Sequence, residues 1–118
     1  MAEHNNLGRA GEMAAAAYLT GKGFEIVARN YRFRRAEVDL IALQDKVLVF
    51  AEVKTRGSNK HGFPEDFVSP KKQELLFLAA EEFSYQLNWP HEIRFDILAV
   101  LVLPDGRFQI HHVEDAFH

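Results

Sequence analysis

Four ionisable residues, Glu37, Asp39, Glu52 and Lys54, stand within the segment AEVDLIALQDKVLVFAEVKTR (residues 36–56), where most other positions read as buried strand. Residues i and i+2 of a strand share a face, so Glu37 goes with Asp39 and Glu52 with Lys54. If the two runs form a hairpin closed by Asp45-Lys46, Gln44 pairs with Val47, Asp39 lies opposite Glu52 and Glu37 opposite Lys54. A three-residue loop without a bulge reverses that parity. Directly opposed positions bring Cβ atoms to roughly 4.5–5.5 Å, where two carboxylates repel and something must offset them. A divalent cation can do so, because Mg²⁺ favours one or two carboxylates completed by water and phosphate oxygens. A lysine on the same face can hold a phosphate oxygen, stabilise charge developing in phosphodiester hydrolysis, or help orient and deprotonate an attacking water. The competing reading is structural: Glu37 and Lys54 as an ordinary cross-strand pair, with Asp39 and Glu52 on the solvated face of an edge hairpin.

The elements that position these residues are legible around them. Asn5 or Asn6 can cap a helix running to about Thr20, with Leu7, Ala10, Ala14, Ala17 and Tyr18 at helical spacing and Gly21-Lys22-Gly23 stopping it. On that wheel Glu12 points away from the Leu7/Tyr18 stripe, beside Gly8, Ala15 and Ala16, small residues that let a ligand or another chain approach. From there Glu12 can join the site as a further acid. Residues 24–33 predict a first strand, and 36–44 and 47–55 two more. The aperiodic stretch GSNKHGFPEDFVSP reads as a long loop of the kind that carries function or mobility, with His61 as a surface residue. Ser69-Pro70 opens a second helix with an inward stripe of Leu76, Ala79 or Ala80, Phe83 and Leu87, ending near Trp89-Pro90. Residues 92–103 form the most apolar strand, and Pro104-Asp105-Gly106 turns it into a last strand reaching about Val113. The order α β β β α β β predicts an α/β fold with one mixed five-stranded sheet flanked by helices, because the second helix can cross over between the third and fourth strands.

A chain of 118 residues suits a single domain over 1–118, and 47 % apolar residues supply a core without staples. The absence of cysteine excludes disulfides, thiolate zinc sites and cysteine nucleophiles. The Ala-rich N-terminal run is too weakly hydrophobic for a signal peptide, and no apolar run reaches membrane-spanning length, so the expectation is a cytoplasmic protein with no membrane association. The formal net charge of −3 argues against a general polyanion binder, but ten of the 14 Lys and Arg fall between Arg29 and Lys72. A basic face on an acidic body binds phosphate locally, since such contacts act within a Debye length of about 8 Å.

Candidate nucleic-acid contacts are Arg32, Arg34, Arg35 and Arg56, with Tyr31 and Phe33 interleaved as stacking groups. Alternation places Arg32 and Arg34 on one face and Tyr31, Phe33 and Arg35 on the other. Lys71, Lys72 and Gln73 open the second helix, where backbone N–H groups favour a phosphate. His111 and His112 face opposite ways and suit structural roles, and Asp96, inside an apolar strand, needs Arg94 or another basic partner.

The runs GRAGEMAAAAYL, KGFEIVARNYR, AEVDLIA, VFAEVKTR, VSPKKQ, RFDILAV and HHVEDAF, which span nearly the whole chain, together resemble the YraN family of small bacterial proteins. That family is itself similar to archaeal Holliday junction resolvases. The Asp39, Glu52-x-Lys54 spacing resembles the signature of restriction endonuclease-like nucleases. The resemblance implies a restriction endonuclease-like fold, Asp39, Glu52 and Glu12 as ligands of Mg²⁺ or Mn²⁺, and Lys54 as the catalytic lysine. It places Glu37 in a supporting motif, in which Ala36 stands where the family usually has Gly. The first hypothesis is accordingly a metal-dependent nuclease with DNA as its partner, branched or structured DNA among its substrates, which on duplexes would work as a homodimer so that two sites reach two strands. The competing class is a catalytically inactive nucleic-acid-binding or protein-interaction module on the same fold.

Overall fold

The computed structural model describes residues 3–57, 63, 64 and 67–118; His61 and most of the 57–69 loop lie outside them. The elements are α1 (Glu3–Gly21), β1 (Glu25–Phe33), β2 (Ala36–Gln44), β3 (Val47–Gly57), α2 (Pro70–Leu87), β4 (Glu92–Val102) and β5 (Phe108–Val113). They follow the predicted order. The strands form one sheet, β1-β2-β3-β4-β5, antiparallel except for β3 and β4, which run parallel along their whole length from Val47↔Glu92 to Gly57↔Val102. A parallel pair needs a crossover, and α2 makes it. The result is the five-stranded mixed α/β sheet of a restriction endonuclease-like fold.

Each helix covers one face. Beneath α2, Leu76, Ala79 and Ala80 pack on Val38, Ile41, Leu48, Phe50, Phe95 and Ile97. Beneath α1, Ala15, Ala16 and Leu19 pack on Leu40, Ala42, Val49, Ala51, Leu98 and Val100. Ser69 caps α2, its Oγ accepting from the Lys72 N–H at 3.3 Å, and Pro70 follows at the first helical position. Asn88 ends α2 in the left-handed conformation (φ 52°). Leu87, expected on the inward stripe, is 47 % exposed because it lies in the last turn, beyond the packed residues Leu76 to Phe83.

Two expectations about α1 are corrected. The helix starts at Glu3, so Asn5 and Asn6 lie inside it and not at the N-cap position. Its inward face is the small-residue face of Gly11, Ala15, Ala16 and Leu19, not the Leu7/Tyr18 stripe. Small side chains let the helix axis settle close to the sheet, and contact area gained that way outweighs a bulkier face held further off. At Gly11 the approach is closest: an added Cβ would lie 1.9 Å from Thr55 Oγ1. Gly11→Ala should therefore cost about 1–3 kcal/mol in urea denaturation despite alanine's better helix propensity. An unchanged midpoint would mean that α1 shifts freely on β3.

The β1–β2 hairpin changes phase in its middle. Val38 and Ile41 both face α2, while Leu40 and Ala42 face α1, so alternation breaks between Val38 and Leu40. Across the ladder, Arg29↔Leu40 and Tyr31↔Val38 bracket Asn30, whose φ of 50° is left-handed. Asparagine tolerates that region far better than a branched residue. Beyond the break Tyr31 and Phe33 turn under α2, with Tyr31 edge-on to Phe83 at 5.0 Å. Both aromatics are partly buried against that core. Arg34 and Arg35 form the turn after β1, so Arg34 does not share a strand face with Arg32; its guanidinium lies over the Phe33 ring.

Candidate active site at the fork of β2 and β3

The hairpin of β2 and β3 closes through Asp45-Lys46, with Asp45 at positive φ (55°), and its register runs from Gln44↔Val47 to Leu40↔Ala51. That is the register expected from the sequence. It stops one step short of Asp39 and Glu52, where β2 parts from β3 while β3 continues along β4. At the fork the Val53 N–H donates to Asp39 Oδ2 at 2.7 Å, so a carboxylate takes the place of a continuing ladder. The expected pairing of Glu37 with Lys54 does not form, because the strands have already separated. Glu37 faces Arg32 across β1 instead, at 3.4 Å.

Glu52 is 6 % exposed, a rare environment for an unpaired acid. It accepts from the Lys72 ammonium, which reaches down from the first turn of α2. Val53 packs in the α1 core and Thr55 meets Gly11, so alternation puts Lys54 with Glu52 on the opposite face. Glu12 reaches the fork from α1: its Oε1 accepts from Asn30 Nδ2 at 3.2 Å, and its charge acts on Asp39. Burial, with the Glu52 charge next and Glu12 adding to it, pushes the Asp39 carboxyl up to about 7 against the opposing Val53 hydrogen bond and Lys72 charge. The crowding inferred from opposed carboxylates is thus present, although it arises at a fork and not within a ladder.

The donor set suits a hard cation that keeps water and phosphate ligands. Asp39 and Glu52 offer carboxylate oxygens at one place, and the Lys72 ammonium already stands on Glu52 as a cation would. Among the described residues no three acid or histidine side chains come together as a cation site, so the expected third ligand, Glu12, does not join Asp39 and Glu52 in a closed set. Lys72 and a divalent ion compete for Glu52 in this arrangement. Lys72→Met should raise Mn²⁺ affinity several-fold in calorimetry, since it removes the competitor; weaker Mn²⁺ binding would show that Lys72 organises the site instead.

The other expected contact residues divide. Arg32 is 76 % exposed beside the fork, on the side of α1. Arg56 lies further along β3 and donates to the Phe63 carbonyl at 3.1 Å. Lys71 is exposed on α2, whereas the Gln73 amide is held by the Val68 carbonyl at 2.8 Å and fixes the helix start. Two features escaped the sequence reading. Asn30 anchors Glu12, and the only signal for it was a lone Asn inside an otherwise regular strand. Lys72 was legible as a phosphate contact but not as the partner of Glu52, which depends on how α2 crosses the sheet.

A second polar cluster lies away from the fork. Asp96 is fully buried and accepts from Arg94 Nε and Nη2, both at 2.9 Å, from the Asp115 N–H at 3.1 Å, and pairs with His112 Nε2 at 2.7 Å. His112 Nδ1 meets the Tyr18 hydroxyl at 3.1 Å. Arg94 is the partner anticipated for Asp96, and His112 has the structural role expected of it.

Fold and site together define a small α/β protein whose neighbouring strands part beside a half-buried Asp39 and a buried Glu52. The chain belongs to the uncharacterised protein family UPF0102, the YraN family, whose model matches residues 11–100 and so spans Glu12, the fork and the start of α2. It is 46 % identical over 118 residues to a UPF0102 protein of Flavobacterium psychrophilum, covering all of this chain and 98 % of the relative. Similar relatives occur in Christiangramia forsetii (44 % over 117 residues, 99 % of this chain and 98 % of the relative) and Chlorobium limicola (45 % over 119 residues, 96 % and 92 %).

Proposed function

We propose that the protein is a divalent-metal-dependent nuclease that hydrolyses phosphodiester bonds in DNA, with branched or structured DNA as its substrate class. The observation that carries this reading is the Asp39 carboxylate, held at the fork beside buried Glu52 and pushed up to about 7 by burial and by that neighbour. A site that crowds acids where the ladder could have continued is costly to the fold and suits a group recruited for chemistry.

Asp39 and Glu52 would hold the cation, with Glu12, oriented by Asn30, acting on it through water. When bound, Mg²⁺ or Mn²⁺ supplies Lewis acidity to the phosphate and lowers the pKa of water. Lys54, on the Glu52 face, orients the attacking water and balances charge as the P–O bond to the leaving group breaks. Lys72, released from Glu52, turns its ammonium to a phosphate oxygen. No helix among the described residues is long and apolar enough to cross a membrane, and a cytoplasmic location would give access to DNA. Two copies acting together would reach both strands of a duplex.

The Lys72–Glu52 pair favours a second reading, since a module that binds nucleic acid or protein without turnover would retain a buried acid neutralised in this way. The two separate on a panel of four-way junction, flap, linear duplex and single-stranded DNA incubated with Mn²⁺ or Mg²⁺. Cation-dependent cutting by the wild type and none by Asp39→Asn supports the nuclease. Absence of cutting, or equal cutting by both, leaves the binding module.

A further inference from the structure

On the side of α1, next to the fork, lies a cleft of about 640 Å³. Gly8, Arg9 and Glu12 of α1 form one wall and Arg29, Asn30 and Arg32 of the hairpin contribute to the other. Three guanidinium groups are thereby gathered on a chain whose net charge is −3. Arg32 is engaged with Glu37, and Glu12 with Asn30, but Arg9 and Arg29 are exposed and pair with no acid among the described residues. Exposed arginines beside acids that have other partners are poised for an outside anion. The planar fork of a guanidinium matches two oxygens of a phosphate. Gly8 leaves the cleft open: a Cβ added there meets nothing within 4 Å.

We infer that this cleft is a binding site for the phosphodiester backbone of the nucleic-acid strand flanking the cleavage centre, with Arg9 and Arg29 as the phosphate-holding residues. Glu12 lines the cleft and its charge reaches Asp39, so a strand seated between Arg9 and Arg29 lies beside the fork. Lys72 and Lys54 stand on the α2 side of the same fork, so the strand meets positive charge on both sides of the acids. The inference rests on the nuclease reading for that placement, while binding itself is measurable without cleavage.

The test is fluorescence anisotropy of labelled single-stranded DNA, the same sequence as RNA, and duplex DNA, in EDTA over a salt series. The Arg9→Gln/Arg29→Gln double variant should bind roughly tenfold more weakly or worse, with the slope of log affinity against log salt reduced by about 1.4–1.8. Gly8→Leu, which fills the cleft without removing charge, should also weaken binding several-fold, while Gly8→Ala should not. DNA and RNA affected alike identify the shared backbone as ligand; loss confined to one names that polymer as the source. Wild-type affinity and salt slope in the double variant, with an unaltered circular dichroism spectrum, would overturn the cleft, as would failure of the wild type to bind any probe. If cleft variants lose binding but Asp39→Asn cuts like wild type, the nuclease assignment of Asp39 fails and the cleft stands. If cutting requires Asp39 but the cleft variants bind normally, the reverse holds.

Discussion

Replacing Asp39 by Asn is expected to lower cation-dependent cleavage by more than about a hundredfold, since even outer partners of metal ligands are worth ten- to a hundredfold. The same substitution should stabilise the cation-free protein. With its carboxyl at about 7 in the fold against an ordinary value of 3.8, Asp39 binds more protons folded than unfolded between those values. Its contribution to stability therefore falls as pH rises from about 4 to about 7 and is level above that. Asn keeps an oxygen for the Val53 N–H but carries no charge. Its advantage over the wild type should grow across that interval to on the order of 2–4 kcal/mol at pH 8. Urea midpoints of both proteins at pH 5 and pH 8 measure it. A variant that is inactive and destabilised at pH 8 would show that the carboxylate is needed by the fold and is not a group held against it. Added Mn²⁺ should reverse the order, stabilising the wild type while leaving the variant unchanged.

Asp96→Ala should be the most damaging single change outside the hydrophobic core, costing about 3–5 kcal/mol by leaving Arg94 and His112 without their buried acceptor. Burial alone would push the Asp96 carboxyl up, but the hydrogen bonds from His112, Arg94 and the Asp115 N–H outweigh it and the net shift is downward. The stability this adds is present above the usual carboxylate range and is lost as pH falls through the lowered value. Asp96→Asn should accordingly lose most at pH 7 and less at pH 3, below the usual carboxylate range. Equal losses at both pH values would assign Asp96 a packing role instead. Since Tyr18 closes the network onto α1, which also carries Glu12, these variants should weaken cation binding only to the extent that they unfold the protein.

The two sequence-level signals with a fixed period proved the most legible. Strand alternation and a two-residue turn at Asp45-Lys46 gave the β2–β3 register, and the Ser69-Pro70 start of α2 was visible as a cap. What the sequence could not convey was where pairing ends. Nothing in AEVDLIA distinguishes an Asp39 that faces Glu52 across a ladder from one that sits where the ladder divides, because that depends on β4 drawing β3 away along its full length. The phase change at Asn30 was hidden for a related reason: an isolated left-handed residue leaves composition and spacing intact while reversing the faces beyond it. It turned Tyr31 and Phe33 toward α2, partly buried against the core, and left Arg29 and Arg32 beside α1. In α1 the abundance of alanine made both faces plausible, and the choice fell to steric closeness at Gly11, a tertiary quantity.

The hydrogen bond from Val53 to Asp39 gives the protein a spectroscopic reporter of its own. An amide proton held by a charged carboxylate is in a shorter, stronger bond than one held by a neutral acid. The Val53 resonance should therefore move as Asp39 ionises, with a midpoint near neutrality, and move again when a cation draws electron density from the same carboxylate. One backbone signal, followed in a nitrogen-15 labelled sample, would record the protonation and loading of the fork without any substrate.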